Sequence, residues 1–200
     1  MISLEQSIKK QYSKIFCVSD WLLFKQTSEA QLKEAVHLKK PDMRFEVNHK
    51  LLARNSRKRL LIGIGIELLL KAIYLKNGYG INKPKTSHNN GITFPYLIAQ
   101  VNNTDLDPTN TFTLSKLIDK LTDVVELPNS GPVIRGLNIA KVFRNKEGHI
   151  VAAVHEYDSS NYRDIEYSLT ALYEHGFYQR LDINFSISPG EQAIWNVYPF

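Results

Sequence analysis

The stretch LLIGIGIELLLKAIYL, residues 60–75, is apolar on every side of a helix and is interrupted chiefly by Glu67 and Lys71. A helix with no polar face has to be enclosed by other elements. It is shorter than the ~20 residues that span a bilayer and it carries two charges, so it reads as the buried helix of a bundle. Gly63 and Gly65 lack the third glycine and the nearby lysine of a phosphate-binding loop, and close helix packing is what they imply. Upstream, ARNSRKR at 53–59 extends the same helix into water, with Arg54, Arg57, Lys58 and Arg59 spread over more than one face. Asn77-Gly78 is a helix stop.

The other segments arrange themselves around that helix. Residues 3–16 and 21–37 predict helices, with Ser19 or Asp20 as N-cap of the second. Residues 78–113 form a long polar excursion rich in Asn, Thr, Gly and Pro, broken by FPYLIAQV, a short helix candidate. Thr113 caps LSKLIDKLTDVV, and after a turn at 128–131 PVIRGLNIAKVF is a further helix. The last helix covers 162–175, with Gly176 as its stop. Leu181, Ile183, Phe185 and Ile187 then alternate with polar residues, and Pro189-Gly190 turns the chain into AIWNVYPF, which reads as a hairpin. The expected architecture is mainly α: a helical bundle over 1–180, with 1–40 as an accessory part, and a β extension over 181–200.

With 43% hydrophobic and 22% charged residues in a 200-residue chain, one real core is expected rather than disorder. The formal charge of +5 suits a polyanionic partner. Cys17 is the only cysteine, which excludes an intrachain disulfide and a four-cysteine zinc site; it reads as a small buried residue in a reducing compartment. The amino-terminal residues lack the unbroken apolar centre of a signal peptide, so a cytoplasmic protein is expected. His37, His88, His155 and His175 show no i,i+4 ligand spacing, and neither a metal nor another cofactor is expected.

Chemistry concentrates in FRNKEGH, residues 143–149. Arginine presents a permanently charged planar fork to phosphate oxygens, and neutral histidine exchanges a proton near neutral pH. RNA supplies its own nucleophile, the 2′-hydroxyl, so a base and a cation suffice to cleave it. Arg44 and His49 in RFEVNH repeat the arginine-to-histidine spacing without the asparagine; that pair reads as a solvated helix start.

RNKEGH, placed between two late helices and after a buried helix bearing the Glu67-x-x-x-Lys71 pair, resembles the HEPN superfamily of small helical bundles, many of them ribonucleases of toxin–antitoxin and phage-defence systems. The likeness covers residues 43–177 in helix order, while its specific motif is 144–149 alone. It implies a homodimer whose two motifs face one another and cleave RNA without metal. It also implies catalytic roles for Arg144 and His149, phosphate contact by Asn145, and Glu67 as a supporting partner. Lys146, Arg57, Lys58 and Arg59 are the expected RNA contacts, and an antitoxin or a defence complex is the implied further partner. In one branch a tyrosine that can be modified stands two residues after the histidine; Val151 holds that place here. The alternative readings are a non-catalytic HEPN-like module that binds nucleotide or RNA, and a helical interaction protein whose basic face docks an acidic partner.

Overall fold

The computed structural model describes residues 3–38, 48–85, 91–146, 159–185 and 192–200, with the side chains of 48–50 excepted. Six helices lie among them: α1 (Leu4–Gln11), α2 (Trp21–His37), α3 (Asn48–Lys76), α4 (Leu114–Asp119), α5 (Ser130–Lys146) and α6 (Ser159–Leu172). The strands are β1 (Asn82–Pro84), β2 (Leu106–Thr111), β3 (Gln179–Asn184) and β4 (Ile194–Pro199). The chain is mainly helical, with an antiparallel hairpin at its C-terminal end.

The apolar stretch is enclosed as its composition demands. Ile62, Ile66, Leu69, Leu70, Ile73, Tyr74 and Leu75 are all 0% exposed. At 29 residues α3 is about 43 Å long. It packs against α2, α4 and α5, and α6 packs on α5. The glycine pair marks two crossings: a Cβ on Gly65 would stand 2.6 Å from Leu32 of α2, and one on Gly63 would stand 2.7 Å from the backbone of α5 at Arg144. At its end, Gly78 adopts a φ of 81°, its N–H donates to Leu75 O, and the Tyr79 N–H reaches back to Tyr74 O. Those paired bonds satisfy the last carbonyls and end the helix at the expected place.

Several expectations are revised. The polar excursion at 78–113 contains a β-ribbon, because β1 pairs antiparallel with β2 around one buried side chain. Asn82 accepts the Phe16 N–H at 3.0 Å and donates to Lys14 O and Asp107 O at 2.9 and 3.0 Å. Tyr96 Oη in turn donates to Asn82 O at 2.6 Å. The first helix stops at Gln11, short of residue 16, since residues 14–16 are drawn onto this ribbon. Ile98–Gln100 and Leu121–Asp123 are single 3-10 turns, so the FPYLIAQV helix and the second half of LSKLIDKLTDVV are shorter than expected. Asp20 does sit at the N-cap of α2, but its carboxylate takes the Cys17 N–H and the Lys14 ammonium instead of α2 amides. Cys17 itself is exposed rather than buried, because its turn lies at the surface.

Gly176 is not a stop. The chain continues from α6 into a π-helical turn, Tyr173–Phe177, and reverses only at Tyr178, whose φ is 55°. Gly176 is small because α3 lies against it: a Cβ there would come 2.9 Å from Ile73 Cδ1. The hairpin that follows pairs Gln179 with Pro199 through to Asn184 with Ile194. Its inner residues join the main core, with Leu181 2% and Phe185 0% exposed. Among the described residues no helix is long and apolar enough to cross a membrane.

Candidate functional site

The C-terminal end of α5 carries the described half of the motif. Phe143 is fully buried and packs its ring toward Tyr162 of α6, at 5.8 Å between centroids. With Phe143 inside, the next three residues, Arg144, Asn145 and Lys146, all point outward and are exposed. Two cations in the last turn of a helix also sit favourably against its carbonyl end. Glu147, Gly148, His149 and Val151 lie outside the described residues, so the histidine of the motif has no described geometry.

Arg144 is held, not loose. Its backbone rests on Gly63 of α3, and its Nε donates to Glu67 Oε2 at 3.2 Å. The other oxygen of Glu67 takes the Lys71 ammonium at 2.9 Å, one turn further along α3. Side-chain exposure falls along this chain of charges, from 44% at Arg144 to 18% at Glu67 and 10% at Lys71. One carboxylate between two cations leaves a net positive group at the surface end. The sequence marks Glu67 and Lys71 as a helix pair, but only the crossing at Gly63 brings Arg144 onto them.

The other expected contacts separate. Arg57 is 64% exposed and forms an ion pair with Glu34 of α2. Lys58 and Arg59 are corrections: they are 4% and 6% exposed, so an external strand does not meet them in the folded protomer. Lys58 Nζ donates to Phe185 O at 2.5 Å and lies 5.4 and 5.5 Å from the ring centres of Tyr162 and Phe185. The expected solvated run is thus partly roofed by Phe185, just past the end of β3. Arg44 of the decoy pair lies outside the described residues.

A second polar cluster has no counterpart in the sequence reading. Lys25 and Glu29 of α2 form an ion pair, the Tyr173 hydroxyl donates to Glu29 at 2.9 Å, and Lys25 stands over the rings of Tyr173 and Phe177. Burial, and then the neighbouring Glu29 charge, push the Tyr173 phenol well above its ordinary range. The available signal was the i,i+4 spacing of Lys25 and Glu29, which is too common to single out. No family model, curated protein or solved structure matches the chain.

Proposed function

We propose that the chain is an endoribonuclease of the toxin or phage-defence type, cleaving RNA at a homodimeric site through Arg144 and His149, with Asn145 on the phosphate. The observation that carries this reading is the Arg144–Glu67–Lys71 relay at the end of α5. A guanidinium that is exposed yet fixed by a carboxylate is what charge stabilisation in a transition state requires, because little reorganisation remains to be done. The bond to Glu67 is made through Nε, and a phosphate would be met by the terminal amino groups.

The chemistry is transesterification. His149 takes the proton of the 2′-hydroxyl as that oxygen attacks phosphorus; the bond to the 5′-oxygen breaks, and an imidazolium returns a proton to it. A 2′,3′-cyclic phosphate and a 5′-hydroxyl result. The residue set is sufficient for cleavage without a metal, and two copies of the motif supply a base and an acid. Lys146 and Arg57 add positive charge toward a phosphate backbone.

End-labelled RNA incubated with the EDTA-treated protein tests the reading. Cleavage to a cyclic-phosphate product is expected, with losses of roughly 100-fold or more in Arg144→Ala and His149→Ala at unchanged circular dichroism. Retention of RNA without cleavage by the wild type would instead support the non-catalytic module. Neither binding nor cleavage would leave the interaction-protein reading.

A further inference from the structure

We infer that α1 is a self-association element, through which two copies of the chain pair antiparallel by way of Leu4, Ile8 and Tyr12. No residue of α1 is buried. Leu4 and Ile8, one turn apart on one face, are 78% and 46% exposed, and Tyr12 at the C-cap continues the line at 79%. A capping box between Ser3 and Gln6, Glu5 in the first turn and two lysines in the last all favour the helix locally. Eight residues are nonetheless well short of the ~12–15 that hold a helix in water without tertiary contacts. The apolar line has no partner among the described residues, and the helix needs one.

The element is also presented from a fixed base. Just beyond it, the Lys14 N–H donates to Pro108 O, and Asn82 bonds both Lys14 O and the Phe16 N–H. Apolar surface continues into the following segment: six of the fourteen exposed large apolar side chains among the described residues fall between Leu4 and Leu23, the others being Ile8, Tyr12, Val18 and Leu22.

Charge selects a second copy as the occupant. Glu5 and Lys9 share one flank of the apolar line and pair with each other at 2.8 Å while remaining 76% and 66% exposed. A two-fold axis at the middle of the helix reverses their order, so Glu5 of each copy meets Lys9 of the other. An isologous contact needs this kind of self-complementarity. An anionic bilayer or a uniformly acidic partner would answer Lys9 and Lys10 but set like charge against Glu5, whereas a second copy matches both signs. The inference does not rest on the nuclease reading.

Sedimentation velocity on the full chain over a concentration series tests it. The wild type is expected to dimerise, and Leu4→Glu/Ile8→Glu to weaken the dimer roughly tenfold or more while the melting transition of the body is kept. Glu5→Lys alone and Lys9→Glu alone set like charges across the axis, and each weakens the dimer. An equimolar mixture of these two variants restores it. The lysine introduced in one chain then faces the glutamate introduced in the other, while a contact made only within one helix stays broken in both. A monomeric wild type at tens of micromolar overturns the inference. So does a dimer indifferent to Leu4→Glu/Ile8→Glu, a mixture no better than its components, or flotation on anionic phosphatidylserine vesicles that depends on the same apolar residues.

Discussion

Single atoms decide where the arginine stands. Because a Cβ at Gly63 would meet Arg144 at 2.7 Å, Gly63→Ala must lever the end of α5 away from α3. Overpacking of this kind costs about 1–3 kcal/mol, read as a lower melting temperature. Under the nuclease reading it should also lower kcat more than it raises KM, since the cation is displaced and not removed. Asp20 gives a second residue-scale test. Burial pushes its carboxyl upward, but hydrogen bonds from Lys14 and from the Cys17 backbone and thiol outweigh that, and the net shift is below the ordinary value of 3.8. A carboxyl depressed in the folded state adds stability above its unfolded pKa and loses it as pH falls through the folded one. The stability difference between wild type and Asp20→Asn, followed by urea denaturation, should therefore be constant at neutral pH and shrink below about pH 4. A difference that grows toward acid would reject the depressed carboxyl.

At the scale of elements, the ribbon β1–β2 depends on one amide. Removing the Asn82 side chain strands the Phe16 N–H and the carbonyls of Lys14 and Asp107 together. Asn82→Ala is expected to cost ~1–3 kcal/mol, and hydrogen exchange should show faster protons in 14–16 and β2 while α3 is unchanged. This element also shows where sequence reading stops. The buried helix, its stop at Gly78, the Thr113 cap and the terminal hairpin were legible because their causes are local: apolar continuity, a left-handed glycine, a hydroxyl before a helix, alternation. β1 is three residues, and its organising bonds reach back 66 and 68 positions to Phe16 and Lys14. No window along the chain contains that cause. Lys58 is the same lesson for the site, since its carbonyl partner lies 127 residues away. The Arg144–Glu67 contact spans 77; the resemblance implied Glu67 as a supporting partner, but no local pattern gave its bond to Arg144.

On the scale of the whole molecule, the hairpin and the bundle share one core. Leu181 and Phe185 pack into it, and Trp195 of β4 meets Tyr173 edge to face at 6.0 Å. Phe185→Ala should accordingly cost about 3–5 kcal/mol and leave a single cooperative unfolding transition. Two separate transitions would mean that the hairpin melts by itself. The turn that joins them has a further consequence. A π turn is an α-helix carrying one surplus residue. Wound as plain α-helix, the same five residues of Tyr173–Phe177 would turn the chain further by about one residue step, and everything downstream would swing by up to about 100° about the helix axis. The inward and outward sides of the terminal strands are thus kept by a miscount that the wider turn absorbs, and a deletion of one codon there would straighten the helix while leaving the tail aimed as it is.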